Sequence, residues 1–425
     1  MSAPVATAPS NAATAAANAA AALLSQRQAN SNYLQKTIRK VTVVQPSGGG
    51  ITGAFVAGQT LNFYVPPANN GFLEALEFQC VFTVNYTANG AGPYINLNRA
   101  FPYNLISEIQ VQYNGLQARV NPYFLMLYER LRRYLAPTTP GTVFSGAGYE
   151  NTTLTADMIA NNSTAPTTGV PQTVKVWFRL PLNALHPVDA AGMLPVMGEA
   201  NPVQVVVICN PSINGVDPLL NPYSSNATTL TVTGTVKINA VYRDGATLWS
   251  PARMPLNLSG LPTAQWLIDN SWNILSAGSV QRGQVKTLLQ HYIMLGIVID
   301  GQQSTDFSTI GNITAMELDA DATGNNKLEA YGLGTNIDIA EYFMWVRQTF
   351  GQDLPQGVVP WVVAPSLNQP NPSNRLGSQV LNMTPGGWTS VYQGYYLNAI
   401  GGTPGITPRV ETWLVSANPA GLLLG

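Results

Sequence analysis

Two amphipathic helical segments stand alone in a chain that is otherwise strand-like, and this layout restricts the folds open to it. The first segment, Asn121-Pro122 through Leu135, has an asparagine at the N-cap and proline at the first helical position. Phe124, Leu127/Tyr128, Leu131 and Tyr134/Leu135 share one face, and Pro137 ends the helix. The second, Thr335 through Phe350, sets Ile339, Phe343, Val346 and Phe350 at spacings of four, three and four. Asp338 lies in its first turn, Arg347 in its last, and Gly351 fits the C-terminal cap. Each helix is flanked on both sides by strand-like runs, so one layout occurs twice without any residue-level repeat. That pattern suggests two β-sandwiches in tandem, each with a helix in the corresponding loop.

Before Arg243 the strand-like runs are Ala54 to Val65, Phe72 to Thr87, Tyr94 to Asn98, Leu105 to Tyr113, Leu116 to Val120, Thr173 to Leu182, Val203 to Cys209 and Thr229 to Tyr242. Asn114-Gly115 between two of them is a hairpin signal, because a tight type I′ turn needs positive φ at both central positions. Eight runs match the strand count of a jelly roll, an architecture that tolerates a short helix in a connecting loop. Pro251, Pro255, Gly260 and Pro262 mark a crossover. Runs then recur at Gln265 to Ile268, Val285 to Asp300, Asn312 to Leu318, Lys327 to Tyr331, Val358 to Ala364, Ser378 to Met383, Ser390 to Asn398 and Arg409 to Ser416. The expected fold is all-β, with two tandem eight-stranded jelly-roll sandwiches, each with one loop helix, plus an N-terminal helical arm. The arm is assigned to residues 1–40, the first jelly roll to 41–250 and the second to 251–425.

Composition bears on what such a pair of sandwiches would do. At 425 residues the chain exceeds the size at which one hydrophobic core keeps growing. Only 10% of it is charged and its net charge is -1, so its polar surface must be mostly Asn, Gln, Ser and Thr. A soluble monomer ordinarily keeps a charged surface, so a neutral one suggests burial against copies of the same chain. An extracellular β-protein with Ser/Thr/Asn-rich loops shares this composition. The two cysteines, Cys80 and Cys209, lie in apolar strand-like runs and read as small buried hydrophobes rather than a disulfide framework. The N-terminus lacks the basic start and apolar stretch of a secretory signal, so synthesis in a cytoplasm is expected. The longest apolar run, Tyr292 to Ile299, has strand length, not membrane-spanning length.

Residues 1–22 are an Ala/Ser/Thr/Asn/Pro tract, after which Ala20, Leu23, Leu34 and Ile38 can share a helical face. Arg27, Lys36, Arg39 and Lys40 give this arm a cationic end suited to lipid headgroups or nucleic acid, or simply to solvent.

Catalytic chemistry has little to work with. Only His186 and His291 exist, no G-x-S-x-G elbow accompanies them, and no cluster of Cys and His offers a zinc site. The segment Asp319 to Glu329 imitates a calcium loop with glycine at the sixth position, but Glu329 falls at position eleven where twelve is required. A polar inter-strand loop is the preferred reading. Glu108 with Glu129, or Glu317 with Asp319, are arbitrary as a hydrolytic carboxylate pair. Ser47-Gly48-Gly49-Gly50 and Gly332-Leu333-Gly334 lack the lysine and helix of a phosphate cradle. No enzymatic activity, catalytic residue, metal or cofactor is expected.

The Ala/Gln-rich amphipathic N-terminus, the two helix-bearing β units, the stretch from Tyr342-Phe343-Met344-Trp345-Val346-Arg347 through Gly357, and the final strand Val410 to Val415 are together similar to one family. The chain resembles the double jelly-roll major capsid proteins of tectivirus-like bacteriophages, which are membrane-containing, tailless and icosahedral. The resemblance implies two upright jelly rolls per subunit, homotrimers of pseudo-hexagonal outline, lateral trimer–trimer contacts, and a shell over an internal lipid membrane in the virion. It also implies contact with vertex (penton) and minor membrane-associated capsid proteins, and no sequence-specific nucleic acid. The arm residues Leu23, Leu24, Arg27, Leu34, Lys36, Ile38, Arg39 and Lys40 would then face the membrane or neighbouring trimers. Two rivals fit the same pattern. One is a carbohydrate-binding or carbohydrate-active β-sandwich using Trp249, Trp266 or Trp388 to stack sugars; the other is a viral spike or vertex protein that trimerises without closing a shell.

Overall fold

The computed structural model describes residues 38–66, 71–88, 96–97, 101–113, 116–125, 148–151, 171–182, 194–195, 203–211, 213, 223–225, 227–244, 263–286, 290–299, 313–332, 335, 337–350, 358–362, 381–382, 390–398 and 409–418. The first unit holds β1 (Ile38–Pro46), β2 (Gly53–Phe55), β3 (Thr60–Val65), β4 (Gly71–Ala88), β5 (Asn96–Leu97), β6 (Ile106–Tyr113), β7 (Leu116–Val120), β8 (Gly148–Asn151), β9 (Gln172–Pro181), β10 (Leu194–Pro195), β11 (Val203–Cys209), β12 (Tyr223–Ser225) and β13 (Ala227–Asp244). Helix α1 starts at Pro122 and is described as far as Leu125. The second unit holds β14 (Thr263–Asn273), β15 (Val280–Val285), β16 (Gln290–Ile299), β17 (Ile313–Asp319), β18 (Lys327–Gly332), helix α2 (Ile339–Phe350), β19 (Val358–Val362), β20 (Leu381–Asn382), β21 (Val391–Leu397) and β22 (Arg409–Asn418).

Strand order establishes the architecture. In the first unit β1-β13-β4-β9 form one face, β3-β11-β6-β7 form the other, and β1 passes between them by pairing with β13 through Val44 and with β3 at Gln45 and Pro46. In the second unit the faces are β14-β22-β16-β19 and β15-β21-β17-β18. If the eight principal strands of each unit are counted in chain order, one face runs first-eighth-third-sixth and the other second-seventh-fourth-fifth in both. The helix lies between the fifth and sixth strands each time. This is the jelly roll, present twice, as the sequence implies.

The inward alternation is regular. In β4, Phe78, Cys80, Phe82 and Val84 are buried, while Gln79 and Val81 are exposed. In β11, Val203, Val205, Val207 and Cys209 are buried. Phe78 stacks on Phe178 at 4.8 Å, and Phe55 meets Phe82 edge-on at 5.1 Å. The second core is built on aromatic rings: Trp361 donates from Nε1 to the Tyr395 hydroxyl at 3.1 Å, and Tyr342 lies 4.7 Å from Tyr331. Tyr395 crosses from β21 to β16 at Gly296, where its hydroxyl occupies the space a Cβ would need.

Helix α1 starts where the sequence sets it, and α2 starts at Ile339, four residues after the expected Thr335. Asn121 accepts from the Tyr123 N–H at 2.8 Å, and Asp338 accepts from the Ala340 N–H at 3.0 Å, which makes Asp338 the cap rather than a first-turn residue. Tyr113 pairs with Leu116 across Asn114-Gly115, the register of a two-residue hairpin. Helix α2 begins at Ile339; Thr335 instead closes a turn, donating from its hydroxyl to the carbonyls of Gly332 and Ile337.

Four expectations are corrected. Ala54 to Val65 is two strands split by a turn at residues 56–59, and Val285 to Asp300 is likewise the end of β15 plus β16. Tyr94 to Asn98 does not join the sandwich: β5 spans two residues and pairs with β12. The strand that completes the eight is β1, so Ile38, Arg39 and Lys40 belong to the first sandwich and not to the arm. The reason is local, because Val41-Thr42-Val43-Val44 is β-branched throughout and favours extended backbone over a helix continuing from Leu34. The remaining arm residues, and the crossover at residues 245–262 where the unit boundary was placed, lie outside the described residues.

Candidate assembly interface

One contact between the two sandwiches centres on Trp413. Its neighbour Thr412 donates its hydroxyl to Gln393 Oε1 in the opposite sheet at 3.3 Å, so Val410, Thr412 and Leu414 point into the second core. Trp413 therefore projects from the outer face of that sheet, yet it is fully buried. The cover comes from the first unit: Phe124 of α1 lies 5.1 Å from the indole, and Tyr123 meets it edge-on at 6.4 Å. Beside them the edge strand β7 packs on the edge strand β14 without joining its ladder. Helix and fifth strand of one sandwich thus seat on the first and eighth strands of the next.

The outward faces of the first unit are polar and largely neutral. One rung reads Tyr64, Gln204, Gln112; another on the opposite face reads Thr233, Thr83, Thr173. Gln204 donates to Asn62 Oδ1 at 3.4 Å, and the exposed Arg119 binds Glu108 through Nε at 2.7 Å and Nη2 at 2.8 Å.

Two ion clusters are built around buried carboxylates. Glu74 sits at the bulge of β4 and accepts from Arg179 at 2.7 Å and Arg243 at 2.6 Å, tying three strands of one face together. In the second unit Arg282 binds Asp319 at 2.7 Å and reaches across Gly394 to Glu317, which also accepts from Lys327 at 2.8 Å. Gly394 is required there, since a Cβ would stand 2.7 Å from Glu317 Cγ. Desolvation pushes the Asp319 carboxyl up to about 6, against the pull of Arg282. Glu329, half-buried near Tyr331, is pushed up to about 7 by the same cause.

The chemical candidates resolve differently. The Asp319–Glu329 segment is a hairpin loop in which Asp321 accepts from the Thr323 and Asn325 N–H groups, while Asp319 is taken by Arg282. Among the described residues no three His, Cys, Asp or Glu side chains converge on a metal position. Cys80 and Cys209 are buried free thiols whose pKa values are raised by burial. Glu108 and Glu317 are held in ion pairs. His186, Glu129, Trp249 and Trp388 lie outside the described residues; His291 and Trp266 lie in β16 and β14. Leu23, Leu24, Arg27, Leu34 and Lys36 also lie outside them, whereas Arg39, on exposed β1, reaches Glu77 at 2.7 Å. No helix among the described residues is long and apolar enough to cross a membrane.

Reasoning from sequence passed over Trp413 and both ion clusters. The signal for Trp413 was the unbroken apolar run Trp413-Leu414-Val415, which marks a strand covered on both faces. The ion clusters unite residues as much as 169 positions apart, and no local pattern exposes them.

No protein-family model matches this sequence, and no curated protein does. Solved structures do match in fold. The STIV MCP superposes with a TM-score of 0.57 at 13% identity, covering 91% of this chain and 98% of its own. The Faustovirus major capsid protein gives 0.53 at 8% identity, covering 90% of each chain. The PBCV-1 virus capsid gives 0.52 at 12% identity, covering 90% of this chain and 94% of its own. These matches extend over both sandwiches, and the chain has the double jelly-roll fold.

Proposed function

We propose that the chain is the major capsid protein of an icosahedral virus, a shell subunit that works by shape complementarity without turnover and resides in the virion after synthesis in a host cytoplasm. The observation that carries this reading is the duplicated sandwich with its internal joint, in a fold shared over about nine-tenths of the chain with capsid subunits. Three chains, six sandwiches, form a homotrimer of pseudo-hexagonal outline, and weaker lateral contacts let trimers tile. The neutral Gln and Thr rungs suit such tiling, because many identical faces meet without accumulated like-charge repulsion. The shell lies over an internal membrane as in tectivirus-like bacteriophages, with Leu23, Leu24, Arg27, Leu34 and Lys36 turned toward it or toward neighbouring trimers and minor proteins.

Size-exclusion chromatography with light scattering tests this directly. The expected species has three times the 45.4 kDa mass of the chain, and electron microscopy of virions shows hexagonal capsomers containing it. A compact monomer at every concentration refutes the proposal.

A further inference from the structure

We propose that in the assembled state a second copy of this chain covers the open edge of β1 with its α2 and the flank of its β18. The joint made inside the chain by α1 and β7 on β14 and β22 is thereby repeated between chains. This inference rests on the shell-subunit reading and specifies which surfaces meet.

The internal joint shows what such an interface looks like in this sequence. It uses the fifth strand and following helix of one sandwich (β7, α1) and the first and eighth strands of the next (β14, β22). The counterparts of those elements are β18 and α2 on one side, and β1 and β13 on the other. Among the described residues the outer edges of β1 and β18 join no further strand, whereas β13 is already buried at Val241. From Ile38 to Val44, β1 has a ladder partner only in β13, and β18 ends its own sheet. A strand edge of that length invites a partner unless something shields it.

Exposed apolar side chains gather on these same two surfaces. Ile38 and Val41 on β1 are 47% and 44% exposed; Ile337 and Met344 beside and on α2 are 38% and 60% exposed. The two surfaces also carry exposed charges of opposite sign: Lys40 and Arg39, the latter paired with Glu77, on β1, and Asp338 and Glu341 at the start of α2. In the internal joint the helix of the first sandwich brings Tyr123 and Phe124 onto Trp413 of the eighth strand of the second. A joint of this kind is head-to-tail, so its repetition either closes into a ring or runs on as a filament; six equivalent sandwiches from three chains close it.

The test uses full-length protein with Met344 replaced by the photo-crosslinker p-benzoylphenylalanine, mixing unlabelled and nitrogen-15 chains so that intermolecular products are identified by mass. Crosslinks from position 344 to peptides containing residues 38–44 of a different copy are expected. In parallel, Val41→Asp, checked for an unchanged circular dichroism spectrum, is expected to weaken trimer association at least about tenfold by placing an unpaired charge in the joint. A trimer whose crosslinks fall on another face, or a Val41→Asp protein that trimerises normally, overturns this joint and leaves the shell-subunit reading standing. A chain that stays monomeric overturns both.

Discussion

Trp413→Ala should separate two sandwiches that otherwise unfold together. The indole is fully buried although it points away from the core of its own unit, so its contacts with Tyr123 and Phe124 are contacts between units. A buried tryptophan covers roughly 150–250 Å², and at about 25 cal/mol per Å² its removal costs on the order of 4–6 kcal/mol before relaxation. Measured truncations of buried aromatics lie nearer 3–5 kcal/mol, which is the expected loss. What distinguishes this site is where the loss falls. Calorimetry on wild-type monomer or trimer should give transitions in which both units take part; Trp413→Ala should advance one transition and leave the other near its original temperature. Trp361→Ala is the control, because Trp361 is equally buried but bonded to Tyr395 within the second core. It should lower the second unit's stability by a similar amount without changing the first unit's dependence on it. A Trp413→Ala protein that loses under about 1 kcal/mol, or one whose calorimetric profile matches that of Trp361→Ala, would refute the assignment of Trp413 to the joint.

Three further outcomes follow from the buried polar groups. Glu74→Ala leaves Arg179 and Arg243 about one-quarter exposed and unpaired, and should cost about 1–3 kcal/mol by urea denaturation, less than for a wholly buried pair because water still reaches both guanidinium groups. Glu329→Gln should stabilise the protein at pH 8 by up to about 3 kcal/mol and have little effect at pH 4. The folded carboxyl titrates near 7 against an unfolded value near 4.5, so its contribution is whole below the lower value and is lost as pH rises through the upper one; thermal melts across that window read the slope directly. Gly394→Val should cost about 1–3 kcal/mol by forcing Glu317 and Val280 aside, and a paired Glu317→Ala change should recover part of it in a double-mutant cycle.

The duplication was legible because each sandwich encodes it locally. Asn121-Pro122 marks a helix start, Asn114-Gly115 sets a hairpin, and strands such as β4 alternate residues inward from Phe78 to Val84. Strand β1 was illegible for an equally local reason. Its burial runs mostly exposed or half-exposed, and a sequence with Ile38-Arg39-Lys40 outside and only Val44 fully buried carries no clear period of two. The surplus run Tyr94 to Asn98 then filled the vacant place in the count. The joint was hidden because Trp413 owes its burial to Phe124, nearly 300 residues earlier, and distance in sequence leaves no periodic trace.

That failure also bears on how the chain assembles. A strand reads poorly when it lacks a buried face and a shielded edge, and among the described residues β1 lacks both. Its counterpart β14 is shielded by β7, and the strand beside it holds a fully buried tryptophan on its outer face. Two strands in equivalent positions of one repeated fold thus differ chiefly in whether a neighbouring sandwich is present. Exposed Ile38 and Val41 at that position are explained if the neighbour of β1 belongs to another copy, and β-branched residues there supply the extended backbone such a joint needs. The low charge of the chain points the same way, since surface that becomes interface does not need charged side chains to remain in solution once assembled.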